Sequence, residues 1–155
     1  MPGGRQERAR FRKELIEALR TYVNTVLADR CRLRLAVLFG SFARGDWRPG
    51  SDADLLVVAE GLPLSCGERW DLLSTLIKGV LVEPHAFTPE EFEELVRYGR
   101  MTAADALTEG IVLYADEEYL AKIRSLFERA REELGLIKVG NAWVRRRLLA
   151  GRGQP

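Results

Sequence analysis

The residues of this chain whose types and spacing could do chemistry together are a glycine–serine pair and two aspartates. Gly40 and Ser41 follow a short apolar run, and Asp52 and Asp54 come eleven and thirteen residues after the serine, at the start of a second apolar run. Glycine lets the main chain approach a phosphate closely, and serine adds a hydroxyl donor. Carboxylate oxygens are ligands that suit Mg²⁺ and Mn²⁺. The pattern therefore predicts metal-dependent handling of a nucleoside triphosphate.

The two aspartates belong on one face of a strand, because side chains two residues apart in a strand point the same way. Their carboxylates would lie about 6–7 Å apart, and they would repel each other unless a cation lay between them. The alternative is that Asp52 and Asp54 are residues of a turn that leads into the strand. The preceding Gly40-Ser41 pair favours the metal site, since it brings phosphate and metal to adjacent strand ends.

The elements that must position these residues follow from the apolar patterning, which predicts an α/β (α+β) fold: a small mixed β-sheet flanked by helices. Helical spacing covers residues 11–27, 66–77, 103–107, 116–134 and 142–149, and a further helix begins at Thr88-Pro89, a favourable N-cap followed by proline at the first turn. Short apolar runs predict strands at residues 33–39, 54–59 and 80–87, with another short apolar run at 111–114.

The motif residues resemble a known signature. Gly40-Ser41, ten residues and then Asp52-Ala53-Asp54 resembles the signature of the DNA polymerase β-like nucleotidyltransferase superfamily. The longer strings GSFARGD and SDADLLVV are similar to those of its minimal nucleotidyltransferases from bacteria and archaea, and the resemblance extends over residues 10–135. It implies a polymerase β-like fold, with a nucleotidyltransferase domain at 1–135 and a basic C-terminal helix or tail at 136–155 that is not a separate domain.

The resemblance also implies a third catalytic carboxylate on a neighbouring strand, and Glu83 is the only acid in the predicted strand 80–87. The family commonly has aspartate there, so glutamate is a departure. Pro84 is a second departure, and it indicates an edge or bulged strand. The alternative for Glu83 is an exposed edge charge. His85 shares the face of Glu83 by alternation, and we interpret it as a hydrogen-bonded residue beside the site rather than a catalyst.

The activity that the resemblance implies is transfer of a nucleoside monophosphate, with AMP favoured, from a nucleoside triphosphate to an acceptor hydroxyl, releasing pyrophosphate. The enzyme would use Mg²⁺ (or Mn²⁺) in a two-metal site. The catalytic residues and metal ligands implied are Asp52, Asp54 and Glu83, and the nucleotide-binding residues are Gly40, Ser41 and Arg44. The alternative for Arg44 is an exposed loop arginine without a role in binding.

The acceptor and partner are less constrained, because the sequence has no obvious second domain for a large acceptor. Minimal members of the superfamily often act with a helical partner of the HEPN type, in toxin–antitoxin pairs in which the transferase adds AMP to the toxin. The resemblance therefore implies a HEPN-type partner. Two alternatives stay open: a non-catalytic module on the same fold that binds nucleotide, nucleic acid or a partner, and an antitoxin that blocks its partner without chemistry.

Composition limits the remaining function classes. The formal net charge of the 155-residue chain is +1, although basic residues crowd both ends, and solvated helix faces explain these runs more simply than nucleic-acid binding does. Two cysteines are too few for a disulfide framework. No apolar run has the length of a membrane span, and the N-terminus lacks the apolar core of a signal peptide. We therefore expect a cytoplasmic protein with no membrane contact.

Overall fold

The computed structural model describes residues 3–146. Its strands are β1 (Arg32–Phe39), β2 (Ala53–Glu60), β3 (Thr75–Ile77), β4 (Val80–Phe87), β5 (Ile111–Ala115), β6 (Leu136–Val139) and β7 (Ala142–Arg145). Its helices are α1 (Arg5–Tyr22), which continues through a π-helical segment (Val23–Leu27) into α2 (Ala28–Arg30), then α3 (Ser41–Arg44), α4 (Cys66–Leu73), α5 (Pro89–Arg97), α6 (Met101–Glu109) and α7 (Glu117–Leu134). No helix within residues 3–146 is both long and apolar enough to cross a membrane.

Five of the strands form one mixed sheet in the order β3-β4-β2-β1-β5. Strands β2 and β4 run parallel, with α4 in the connection between them, and the other neighbouring pairs are antiparallel. The predicted mixed sheet flanked by helices is thus confirmed. Strand β2, which begins between the two aspartates and includes Asp54, has β1 and β4 as its two neighbours.

Both faces of the sheet are covered, which explains why the central strands are apolar without alternating with polar residues. On β2, Leu55 belongs to the core cluster beneath α1, and Leu56 belongs to the cluster beneath α5, α6 and α7. Both leucines are completely buried, and each such side chain contributes about 1.5–3 kcal/mol to stability relative to an exposed one. The packed centre of β2 therefore holds Asp54, near the start of this strand, at a fixed place in the sheet.

Helix α5 begins where the sequence predicts it, and its start fixes the end of β4. Thr88 and Glu91 form a capping box, in which each side chain accepts a hydrogen bond from the other residue's main-chain N–H. The buried Arg69 of α4 pairs with Glu91 and donates to the main-chain oxygen of Ala86. These contacts connect α4 and α5 to the C-terminal end of β4.

Two predicted helices are wrong over part of their length. The helix predicted at 66–77 ends at Leu73, and residues 75–77 form β3 instead, because Lys78 and Gly79 (φ +52° and +76°) make a two-residue hairpin turn that returns the chain as β4. The helix predicted at 142–149 is also wrong over 142–145, which is β7, paired with β6 across Gly140-Asn141. Residues 147–149 lie outside the described residues.

The register of β3 explains the proline in β4. Strand β3 pairs with β4 only as far as Val82, so within residues 3–146 the outer side of β4 has no strand partner from Glu83 onward. Pro84 therefore removes no hydrogen bond from this side of the ladder. The expectation of an edge position at Pro84 agrees with this arrangement. The same free edge leaves Glu83 accessible.

Candidate active site

The site acids meet because β2 and β4 are parallel neighbours. Their register places Asp54 beside Glu83, and the β1 register places Phe39 on the other side of Asp54. His85 follows Glu83 on the same face of β4. Its Nε2 atom lies 3.2 Å from Asp54 Oδ1 and 4.0 Å from Glu83 Oε1. One ligand atom from each of the three side chains lies within 4.8 Å of the others.

The surroundings of Glu83 shift the pKa of its carboxyl group. Burial and the negative charge of Asp54 raise the pKa of the Glu83 carboxyl above its usual range, while the neighbouring His85 opposes the shift. Two close carboxylates repel each other when both are charged, unless a cation lies between them. A proton shared between them removes one of the two charges. The pair is thus built to hold positive charge, and its side chains remain about 29% (Asp54) and 37% (Glu83) exposed, so an ion can reach them.

Gly40 places the main chain directly against this carboxylate pair. Its φ of +79° and ψ of −154° lie in a region that only glycine adopts readily, and a Cβ atom there would collide with Asp54 Oδ2. Gly40 is also the N-cap of α3, and Ser41 is the first residue of that helix. Gly40 and Asp54 are therefore in contact, so the Gly-Ser turn begins beside the strand acid, as the sequence spacing predicts.

The short α3 is held in place by the first helix. Arg12 of α1 donates from Nε to the main-chain oxygen of Phe42 (2.6 Å) and from Nη2 to that of Ala43 (2.7 Å). Trp47 is 2% exposed and stacks on Phe42, and Arg8 donates to its main-chain oxygen. The Arg12 bonds satisfy carbonyl groups at the end of α3 that have no partner inside the helix. Together these contacts make the basic residues of α1 part of the scaffold that supports the loop.

Arg44, predicted to bind nucleotide, is engaged with acidic side chains. It forms ion pairs with Glu109 (Nη1–Oε1, 3.1 Å) and Asp46 (Nε–Oδ2, 3.2 Å). Glu109 is shared, because its other oxygen accepts from Lys138 of β6 at 3.0 Å. The Arg44 side chain is 26% exposed at the end of α3. Its contact with a nucleotide stays a prediction.

The structure brings together part of the predicted metal-binding set and adds a residue to it. Asp54 and Glu83 meet, whereas Asp52 is exposed just before β2 and lies outside the three-residue group, although its charge also acts on Glu83. The added member is His85, which the sequence placed beside the site only through its alternation with Glu83. The sequence alone does not show that β2 and β4 pair in parallel, and this pairing is what brings His85 close to Asp54. Two carboxylates and an imidazole are a donor set that fits a divalent metal ion.

A mixed sheet with a glycine–serine turn packed against a strand aspartate, and a second acid on the adjacent parallel strand, is the architecture of a nucleotidyltransferase. The family model described as "Nucleotidyltransferase domain" matches residues 13–113, and the chain belongs to this family. Family membership confirms the resemblance carried by the Gly-Ser and Asp-x-Asp motifs.

Two candidate protein adenylyltransferases of Methanocaldococcus jannaschii are similar in sequence. One is 26% identical over 94 residues, covering 56% of this chain and 93% of the relative. The other is 31% identical over 101 residues, covering 63% of this chain and 96% of the relative. Both of these relatives are thus named for adenylyl transfer to proteins.

Solved structures share the fold at lower identity. A chain of a toxin–antitoxin complex with AMP-PNP aligns with a TM-score of 0.53 and 20% identity, covering 87% of this chain and 98% of that one. A candidate nucleotidyltransferase from Sulfolobus solfataricus aligns with a TM-score of 0.52 and 21% identity, covering 76% and 95%. A chain of a complex between a tri-AMPylated HEPN toxin of Shewanella oneidensis and its MNT antitoxin aligns with a TM-score of 0.50 and 19% identity, covering 90% and 99%.

Proposed function

We propose that this nucleotidyltransferase transfers AMP from ATP to a hydroxyl group on a partner protein and releases pyrophosphate. The observation that carries the proposal is that Asp54 lies next to both Glu83 and the Gly40 main chain. The carboxylate pair and the glycine–serine turn are therefore side by side. The names of the sequence relatives support a protein acceptor.

In this proposal all three acids hold metal, and Glu83 also acts as the general base. Asp52, Asp54 and Glu83 would hold divalent cations, Mg²⁺ or Mn²⁺, whose charge neutralises the triphosphate and makes the acceptor hydroxyl more acidic. The oxygen of the acceptor attacks the α-phosphorus, the bond to the pyrophosphate oxygen breaks, and Glu83 accepts the hydroxyl proton.

The turn and the loop would bind the rest of the nucleotide. The Gly40 main chain, which has no side chain in the way, and the Ser41 hydroxyl would contact the β- and γ-phosphates, where negative charge increases as pyrophosphate leaves. Arg44 would exchange part of its pairing with Glu109 for the triphosphate. A guanidinium suits this task because it donates two parallel hydrogen bonds to phosphate oxygens.

The partner in this proposal is a helical protein of the HEPN type, with this chain as its antitoxin. The support is the fold shared with chains of toxin–antitoxin complexes, one solved with AMP-PNP and one containing an AMPylated HEPN toxin.

The test is incubation with ATP labelled at the α-phosphate, Mg²⁺ or Mn²⁺, and the product of the neighbouring gene. The wild-type chain should label that protein, and Asp54→Asn should abolish labelling while the protein stays folded. The matched control is Asp71→Asn, an exposed aspartate on α4 outside the site. Absence of label and of ATP binding in the wild type would refute the proposal.

A second candidate is a non-catalytic binding module that uses basic α1. Arg5, Arg8 and Arg12 line a surface cavity of about 510 Å³ together with Trp47. This function predicts salt-sensitive binding of an anionic partner that Asp54→Asn leaves unchanged, and no Mg²⁺-dependent nucleotide binding. The labelling experiment distinguishes the two functions.

A further inference from the structure

His85 lies in the site, but the proposed transfer reaction assigns it no role. It lies on β4 two residues after Glu83, and its ring rests edge-on against Phe39, with centroids 5.0 Å apart and planes at 64°. The side chain is 29% exposed. The aromatic contact therefore orients the ring while leaving it reachable from solvent.

The imidazole nitrogen faces the same point as the two carboxylates. Ligand atoms about 2.1 Å from one metal ion are about 3.0 Å apart when at right angles, and up to about 4.2 Å apart when opposite. His85 Nε2 lies 3.2 Å from Asp54 Oδ1 and 4.0 Å from Glu83 Oε1, so both separations fall within that range. All three ligand atoms lie within 4.8 Å of one another, which is close to the spacing of ligands to a single ion.

A nitrogen ligand changes which ion the site prefers. Mg²⁺ favours oxygen ligands and retains its waters, whereas imidazole suits first-row transition ions. We propose that His85 ligates the metal through Nε2, together with Asp54 and Glu83, and that the site therefore selects Mn²⁺ or a later transition ion over Mg²⁺. This inference rests on the proposed function, since it concerns the metal of the same site.

A purely positioning role for His85 is the competing explanation. A hydrogen bond from Nε2 to Asp54 would orient that carboxylate without any metal–nitrogen bond. Affinity alone does not separate the two roles, because loss of either would weaken metal binding. A direct probe of the metal–nitrogen bond does separate them.

The experiment is pulsed electron paramagnetic resonance of Mn²⁺ bound to the tag-free protein. His85 is the only histidine of the chain, so an imidazole-type ¹⁴N modulation of the Mn²⁺ signal has one source. Wild-type protein should show this modulation, and protein grown with ¹⁵N-histidine should show the ¹⁵N pattern in its place. This isotope arm needs no variant and therefore does not depend on whether a substituted protein folds.

The variant arm measures selectivity. His85→Asn should lower the ratio of the Mg²⁺ to the Mn²⁺ dissociation constant about tenfold or more, by analogy with the loss of other metal-site partners. Asp71→Asn should leave the ratio and the modulation unchanged. Mg²⁺ affinity is obtained from its competition with Mn²⁺, so neither arm depends on turnover.

The outcomes are distinct. Mn²⁺ that binds wild-type protein without ¹⁴N modulation would overturn the His85 inference and leave the proposed transferase intact. Wild-type protein that binds neither Mn²⁺ nor Mg²⁺ would instead contradict the metal-dependent function on which the inference rests. An unchanged selectivity ratio in His85→Asn would also overturn the inference.

Discussion

Substitution of Gly40 by alanine tests the contact between the turn and the strand acid. The residue has φ +79° and ψ −154°, a conformation that costs a non-glycine residue about 1–3 kcal/mol. The added Cβ would also collide with Asp54 Oδ2, so the carboxylate must move. For a domain of this size, each kcal/mol lost from the unfolding free energy lowers the melting temperature by about 2–4 °C. Gly40→Ala should therefore lower it by about 2–12 °C.

The same substitution should reduce AMP transfer by more than its effect on stability explains. A displacement of a catalytic group by about 1 Å costs about 100-fold in rate. The loss should persist at a temperature at which the variant is fully folded by circular dichroism. It should be accompanied by weaker Mn²⁺ binding, because Asp54 is a proposed ligand.

The matched control is Gly61→Ala. Gly61 also has a positive φ (+75°), but a Cβ added there would have no heavy atom of residues 3–146 within 4 Å beyond its own chain neighbours. This variant should lose about 1–2 kcal/mol of stability to backbone strain and retain wild-type transfer. Equal transfer activity in Gly40→Ala and Gly61→Ala would refute the assigned role of the Gly40–Asp54 contact.

Three further predictions concern single side chains. Because the pKa of Glu83 is raised, its carboxylate makes the metal-free protein less stable as the pH rises from below 4.5 toward neutrality, and Glu83→Gln should flatten this part of the pH–stability curve in urea denaturation. Tyr119→Phe should raise the unfolding free energy by about 1 kcal/mol, because the tyrosine hydroxyl is buried and has no hydrogen-bond partner within residues 3–146. Lys138→Met should cost about 1–3 kcal/mol and expose the β6–β7 hairpin to limited proteolysis, since Lys138 pairs with the buried Asp105 and with Glu109. A hairpin as resistant to protease as in the wild type would contradict the last expectation.

The local parts of the site were predictable from the sequence because they depend on neighbouring residues. The Gly40-Ser41 turn, the strand that begins at Ala53 and the capping box at Thr88 are each specified within a few residues. The apolar run of β2 also predicts a buried strand without reference to its neighbours. The mixed sheet followed from the number and spacing of such runs.

The parts that could not be predicted depend on pairing between distant residues. The position of His85 next to Asp54 requires the parallel register of β2 with β4, which no local pattern specifies. The ion pair of Arg44 with Glu109 joins residues 65 positions apart. The two mispredicted helices have a different cause: Lys78-Gly79 and Gly140-Asn141 are turn residues that override apolar spacing compatible with a helix.

The most direct test of the central claim is to measure pyrophosphate release and AMP incorporation together, with ATP, divalent metal and the partner protein. The proposed transfer forms one bond to AMP for each bond to pyrophosphate that breaks. The wild-type chain should give the two products in equal amounts, and Asp54→Asn should give neither. Transfer that continues undiminished in Asp54→Asn would contradict the assignment of the reaction to this site.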